Sequence, residues 1–181
     1  MHKEAALPAE LAAGRATPPA DLERIFLEHQ GRVFRAAYRV TGSLSDAEDV
    51  LQTVFLRLLR RDVAAAGVDH LGSYLYRAAV NTALDVLRTR RESMPIEDAE
   101  PSLAIVDESP RREEMRRQLR RALATLQPRW AEIFVLRHFE GDGNHEIARL
   151  LGMSRATVGV TLFRARHRLQ KALRQQAGEG R

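Results

Sequence analysis

The sequence predicts an all-α protein made of two small helical domains joined by a flexible acidic linker. Apolar residues recur at steps of three and four over long stretches, and no segment alternates with period two for long enough to form a strand. A segment rich in proline and acidic residues separates the helical stretches into two groups. The length of 181 residues suits one ordinary domain or two small ones.

The first helical domain is predicted over residues 21–92, after a tail at residues 1–20 whose alanine and proline content indicates disorder. Its second helix is expected to begin at Ser45 as the capping residue, and its third near Ser73. Helical spacing predicts that the core of this domain contains Leu22, Ile25, Phe26, Val33, Ala37, Val50, Val54, Leu58, Leu75, Ala79, Ala83 and Val86.

The linker is predicted over residues 93–113, since Ser93 to Pro110 contains three prolines, five acidic residues and no basic residue. A second domain follows over residues 114–175, and a disordered tail over residues 176–181. Pro128 ends the helix before it, because the residue preceding a proline disfavours helical geometry. The letters "EGDGN" further along indicate a turn.

The stretch from His145 to Leu169 has the pattern of a helix-turn-helix, with Gly152 in the turn and Ser154 as the cap of the second helix. Val158, Leu162, Ala165 and Leu169 are expected to face the core. The opposite face suits a DNA major groove and carries Ala156, Gly159, Val160, Phe163, Arg164 and His167. A solvated basic helix or an apolar protein contact would fit the same face.

Two further motifs lie in the first domain. At the start of its second helix, acidic and polar residues suit either helix capping or a partner-docking face: Asp46, Glu48, Asp49 and Gln52. On its third helix, one side suits single-stranded DNA because it combines an aromatic ring, arginines and an amide: Tyr74, Arg77, Asn81, Asp85 and Arg88. The competing interpretation is that Asp85 and Arg88 form an ordinary ion pair and that Tyr74 belongs to the core.

Composition argues against several classes of site. The chain has no cysteine, which removes disulfides, thiolate zinc sites and cysteine nucleophiles. "HEIAR" lacks the second histidine of a zinc protease, and "GDG" lacks the lysine and hydroxyl of a phosphate loop, so no metal, cofactor or catalytic residue is predicted. Without a long apolar run or a signal peptide, we expect a cytoplasmic protein with no membrane insertion. A net charge of +5 favours an acidic partner such as nucleic acid.

Taken together and in this order, the motifs resemble those of a bacterial sigma-70 family RNA polymerase sigma factor of the extracytoplasmic-function (ECF) subgroup. They are "DAEDVLQTVFLRL", "YLYRAAVNTALDVLRTRR" and "EGDGNHEIARLLGMSRATVGVTLFRARHRL". The resemblance covers about residues 21–92 and 114–174. It implies a sigma region 2-like bundle, a sigma region 4-like helix-turn-helix, and a transcription initiation factor that is not an enzyme.

The resemblance also implies partners and site residues. Core RNA polymerase would be bound through Asp46, Glu48, Asp49 and Gln52. The melted −10 promoter element would be bound through Tyr74, Asn81, Asp85 and Arg88, with Arg77 on the same side of the helix. The −35 duplex would be read by Arg155, Thr157, Gly159, Val160, Phe163 and Arg164. In the family the linker threads through the polymerase cleft, and an anti-sigma factor often holds members inactive, so such a factor is a candidate partner.

Departures from the family pattern concern promoter sequence. Tyr74 stands where the family has tryptophan, and "GDGN" lacks the usual "LS" pair. Gly159, Val160 and Thr161 replace a basic residue, serine and arginine, which indicates an unusual −35 element or a weaker contact. Two alternatives stay open: a helix-turn-helix regulator that binds duplex DNA without recruiting polymerase, and a sigma-like interaction module whose last helix binds a protein.

Overall fold

The computed structural model describes residues 19–60, 68–93 and 109–179, and every regular element in these ranges is an α-helix. The all-α prediction is therefore confirmed. Most of the predicted acidic linker and nearly all of the predicted N-terminal tail lie outside the described residues. None of the described helices is both long and apolar enough to cross a membrane.

The first three helices, α1 (Pro19–Thr41), α2 (Leu44–Leu59) and α3 (Val68–Ser93), pack pairwise around one core. Helical periodicity placed this core correctly. Ile25, Val33, Ala37, Val50, Val54, Leu58, Leu75, Ala79 and Ala83 are buried, while Leu22, Phe26 and Val86 are partly buried against them. The rings of Phe26 on α1 and Phe55 on α2 meet edge to face, with centroids 4.9 Å apart.

The starts of two helices differ from those predicted. Ser43, not Ser45, caps α2, because its side chain accepts a hydrogen bond from the Asp46 backbone N–H at 3.3 Å. Gly42 lies just before it with φ +69°, a left-handed conformation that ends α1 and sets Ser43 in extended geometry. The third helix begins at Val68 rather than near Ser73, so it contains Gly72 in its interior.

The second group consists of α4 (Pro110–Ala124), α5 (Pro128–His138), α6 (Asn144–Leu151) and α7 (Arg155–Glu179). Gln127 before α5 has an extended ψ of 143°, as the following proline predicts. Helix α4 already begins at Pro110, inside the predicted linker, since proline is well tolerated in a first turn. Disorder predicted from residue 176 is wrong for the four residues up to Glu179, which continue α7.

The two helical groups pack against each other through α3, which contacts both α4 and α5. At one edge, Arg39 Nη1 on α1 lies 2.7 Å from Glu140 Oε1 and donates to the Phe139 carbonyl at 3.3 Å. At another edge, the Arg120 guanidinium of α4 lies over Gly42 so closely that a Cβ there would collide with it. One side of α3 is consequently covered by the second group.

Candidate nucleic-acid interface

The helix-turn-helix forms as its local sequence predicts. Gly152 has φ +63°, and the Met153 N–H donates to the Ala148 carbonyl at 2.9 Å, which closes the end of α6. Ser154 Oγ then accepts the Thr157 N–H at 3.0 Å and caps α7. These contacts determine the angle at which α7 leaves the turn.

Helix α7 buries one stripe and presents the opposite one. Val158, Leu162, Ala165 and Leu169 are all buried, as predicted. On the other face, Phe163 is 73% exposed and Val160 is 51% exposed, with Ala156, Arg164 and His167 exposed around them. Of the three positions that depart from the family pattern, Thr161 is buried, so only the partly buried Gly159 and the exposed Val160 border the presented face.

The charge on this surface has one sign. From Ile147 to Gly178 the sequence contains no acidic residue, while Arg155, Arg164 and Arg168 are exposed on α7. Arg166 is engaged elsewhere, with its Nε 3.3 Å from His138 Nε2. Burial, and then the charges of Arg166 and Arg137, lower the pKa of His138, so its neutral ring accepts this contact. A basic face with an apolar centre suits a nucleic-acid groove, since cations bind phosphates and apolar groups contact base edges.

On α3, the predicted −10 residues fall into two sets, one with contacts inside the first helical group and one bonded to the second group. Asp85 Oδ1 and Arg88 Nη1 lie 2.7 Å apart as an i,i+3 ion pair, and Tyr74 is partly buried against the core. These contacts agree with the competing interpretation of the sequence, in which Asp85 and Arg88 form an ordinary ion pair and Tyr74 belongs to the core. These contacts do not exclude a DNA-binding role for the same side chains, which stays a prediction. The Asp85 side chain is 66% exposed, and an ion pair that is open to water contributes little to stability.

Arg77 and Asn81 on α3 are held by a residue of the second group that sequence reasoning missed. Glu132 on α5 is only 3% exposed, and its Oε1 accepts from Arg77 Nε at 3.2 Å and from Asn81 Nδ2 at 3.0 Å. Its Oε2 accepts from Arg129 Nη1 at 2.8 Å. Arg77 Nη1 also donates to the Leu150 carbonyl at 3.2 Å. No local pattern could have identified Glu132, because its two partners on α3 lie more than fifty positions earlier.

The acidic motif of α2 contains one buried residue and three exposed ones. Asp46 is buried, and its Oδ1 accepts from Arg90 Nη2 of α3 at 2.8 Å, so this carboxylate ties two helices together. Glu48, Asp49 and Gln52 are exposed. Leu44 and Leu56 of the same helix are also exposed, which places apolar surface near the three polar side chains. A docking role for Asp46 therefore stays a prediction with less geometric support than the other three have.

Comparison with known proteins identifies both groups of helices. The family model described as "Sigma-70 region 2" matches residues 25–93, and the one described as "Sigma-70, region 4" matches residues 116–169. The chain is 34% identical to the RNA polymerase sigma-E factor of Streptomyces avermitilis, over 84% of this chain and 85% of that protein. It is 29% identical to the ECF RNA polymerase sigma factor SigE of Mycolicibacterium smegmatis, over 87% of this chain and 63% of that protein.

A solved structure has a similar fold. It is the sigma factor RpoE of Bartonella quintana, determined in complex with the anti-sigma factor NepR. The match has a TM-score of 0.51 and 21% identity, and it covers 85% of this chain and 97% of that one.

Proposed function

The chain belongs to the ECF subgroup of the sigma-70 family of RNA polymerase sigma factors. From this premise we propose which of its residues bind the polymerase and which bind each promoter element. It is a transcription initiation factor that binds core RNA polymerase and directs it to promoter DNA. The observation that carries the proposal is the presence, in one chain, of both sigma-70 regions with an exposed face on α2 and another on α7. Nucleotidyl transfer belongs to the polymerase, so this chain contributes binding and no catalytic group.

Polymerase docking is assigned to the exposed part of α2. Glu48, Asp49 and Gln52 form its polar centre, with Leu44 and Leu56 exposed on the same helix. Carboxylates would pair with basic groups of the partner, and the leucines would lose their water contact on binding. Asp46 supports this surface from behind by holding α2 against Arg90 of α3. The docking takes place in the cytoplasm, where the polymerase is.

Recognition of the melted −10 element is assigned to α3. Tyr74 would stack on a base, while Arg77, Asn81, Asp85 and Arg88 would contact the backbone and the edge of an extruded base. Base stacking on aromatic rings contributes about 1–3 kcal/mol per base, which offsets the few kcal/mol that extrusion costs. The ion pair of Asp85 and Arg88 is compatible with this role, because it would orient the guanidinium before DNA arrives.

Recognition of the −35 element is assigned to α7 in the major groove. Val160 and Phe163 suit thymine methyl groups, and the small Gly159 lets the helix approach the base edges. Arg155, Thr157 and Arg164 would contact phosphates or guanines around this apolar centre. The proposal therefore expects a −35 element containing thymines at the two positions that face Val160 and Phe163.

A second candidate function is favoured by one observation. Phe163 is so exposed that α7 could bind a protein instead of DNA, which would make the chain a sigma-like interaction module. A partner of the anti-sigma type is compatible with either function, since the similar Bartonella protein was solved with such a factor.

The test is binding and run-off transcription with purified core polymerase on a library whose promoter region is randomised. We expect the wild-type chain to bind polymerase and to start transcripts at defined sites in a selected subset of templates. Asp49→Arg with Gln52→Ala should lose both activities, because it reverses the charge of the α2 face. Glu23→Arg is the matched control, since Glu23 is an exposed acid on α1 outside that face.

Other outcomes separate the alternatives. A wild-type chain that binds duplex DNA but never engages polymerase would be a conventional regulator. A chain that binds neither DNA nor polymerase would leave the interaction module as the remaining function.

A further inference from the structure

We propose that Glu132 is an intramolecular competitor of promoter DNA: in the packed chain, its carboxylate occupies the hydrogen-bond donors of Arg77 and Asn81. The inference rests on the proposed function, which assigns these two residues to the melted −10 strand. It adds that the strand can bind only after the two helical groups separate.

The bonding at Glu132 has the form of an anion site. A guanidinium Nε, at 3.2 Å, and an amide Nδ2, at 3.0 Å, converge on one carboxylate oxygen, and Arg129 binds the other oxygen at 2.8 Å. Arginine and amide donors bind the oxygens of a DNA phosphate in the same way. Because Arg77 Nη1 is also bonded, to the Leu150 carbonyl, two faces of this guanidinium are engaged by the second group. A DNA strand would have to displace all of these contacts.

Burial makes the contact depend on packing. The Glu132 side chain is 4% exposed and that of Arg77 is 32% exposed, so the pair is largely shielded from water. A charge-assisted hydrogen bond gains strength in such surroundings, whereas an unpaired buried carboxylate is costly. Separation of the groups would hydrate Glu132 and free Arg77 and Asn81 together. The arrangement therefore favours two states over a gradual loosening. In the closed state the two helical groups are packed together, and in the open state they are separated.

Contacts elsewhere support the same closed state. Arg39 on α1 and Glu140 after α5 form a pair with a 2.7 Å separation, outside every surface assigned to DNA or polymerase. Glu140 also acts on Tyr76 of α3: burial, followed by the negative charge of Glu140, raises the pKa of that hydroxyl. The closed state is thus held by the Arg39–Glu140 pair as well as by the bonds of Glu132.

The closed state does not cover α7 in the same way. Phe163 and Val160 stay exposed while Arg77 and Asn81 are engaged. A closed chain could therefore contact −35 duplex but would bind single-stranded DNA weakly, since the apparent affinity falls with the fraction of open chains. Polymerase would relieve this block if binding to it held the two groups apart.

The first experiment measures separation without DNA. The chain has no cysteine, so Glu28→Cys and Gln170→Cys, both at exposed positions, place one fluorophore on each group. Energy transfer should fall in Glu132→Gln and in Arg39→Ala, and it should fall in the wild type on addition of core polymerase. Glu114→Gln is the control, because it makes the same charge change on α4, where Glu114 pairs with Arg117 and Gln118 of its own helix.

The second experiment measures binding of a short, labelled, single-stranded DNA pool of random sequence by fluorescence anisotropy. Glu132→Gln should bind roughly threefold or more tightly than the wild type, because the open fraction rises. Arg39→Ala should shift the affinity in the same direction, and Glu114→Gln should not shift it. In a background of Arg77→Ala with Asn81→Ala, Glu132→Gln should bring no gain. Far-UV circular dichroism and melting curves confirm that each variant is folded.

The inference is overturned if Glu132→Gln and Arg39→Ala are folded and both leave the energy transfer and the affinity at wild-type values. It is also overturned if the groups separate but DNA binding does not tighten, or if the gain survives loss of Arg77 and Asn81. In each of these cases, polymerase-dependent transcription by the wild type would still support the proposed function. Failure of that transcription, with the fluorescence changes intact, would instead remove the proposed function and leave only a packed two-state chain.

Discussion

The two surfaces proposed to contact DNA, on α3 and on α7, differ in what covers them. On α3, Arg77 and Asn81 are bonded to Glu132 of the second group, whereas on α7, Phe163 is 73% exposed. Both helices are long and carry arginines at helical spacing, so their own sequences do not account for the difference. Whether the side chains of a helix can bind DNA therefore depends on what packs against that helix, and not only on which side chains it carries.

The difference fits the order in which the two DNA forms exist. A −35 duplex is present before any melting, so the helix proposed to recognise it, α7, can be exposed from the start. A single strand at −10 exists only after polymerase has opened the duplex, and until then exposed arginines would bind unrelated nucleic acid, since phosphate contacts carry no sequence information. Covering α3 would limit such binding.

The largest effect is expected from locking the closed state. Arg39→Cys with Glu140→Cys replaces two side chains that touch across the groups, and a short bismaleimide containing a disulfide can join them. Single-strand binding and transcription should fall at least about tenfold, equivalent to ~1.4 kcal/mol, and reductant should restore them. Duplex −35 binding should change little. Each single-cysteine variant, treated with the same reagent, is the control, and a locked chain that still transcribes would contradict the prediction.

The next effect concerns the exposed face of α7. Phe163→Ala should weaken binding to a selected −35 duplex by about 1 kcal/mol, because an apolar contact with a thymine methyl group is lost, and it should leave single-strand binding unchanged. Its dependence on salt should stay that of the wild type, because no charge is removed. Arg164→Ala is the matched comparison: it should lower the salt slope if this residue contacts a phosphate. Unchanged duplex affinity in Phe163→Ala would favour a protein partner for α7.

The next effect is on stability rather than on binding, and it is expected from two glycines near the proposed duplex-reading face of α7. Gly159→Ala should stabilise the fold by up to about 1 kcal/mol, since the nearest heavy atom to an added Cβ, the Asn144 amide nitrogen, is 4.0 Å away. Gly152→Ala should destabilise it by roughly 1–2 kcal/mol, because φ is +63° there. Urea unfolding measures both. Similar stabilities for the two variants would show that the left-handed turn is not required.

The smallest effect concerns Asp142, beside Glu140 in the turn that follows α5. Burial, and then the charge of Glu140, raise the pKa of the Asp142 carboxyl, so the native state binds its proton more readily than the unfolded state does. Stability from this group therefore rises as pH falls through the window between the ordinary and the raised pKa. Asp142→Asn should add less than about 1 kcal/mol at neutral pH, and nothing at a pH below both values. A gain that is independent of pH in thermal melts would contradict this cause.

Local features of the fold were predictable from particular residues. Gly152 and Ser154 form the turn and the cap that their types and spacing predict, and Val158, Leu162, Ala165 and Leu169 are buried together. The local sequence predicts Ser45 as the cap of α2, although Ser43 makes the bond. Two serines two positions apart have the same local chemistry, and the left-handed Gly42 before them decided which one took extended geometry.

The sequence by itself determined that the chain is helical, which residues form most of its core and which family it belongs to, because residues three and four positions apart lie on the same face of a helix. It left the ends of several helices open. Only the tertiary structure decided that Asp46 is turned inward to Arg90, 44 positions later, and that Asn81 is held by Glu132, 51 positions later. A carboxylate looks the same in a sequence whether it faces water or a guanidinium from another helix. Its role depends on which surfaces meet when the helices pack.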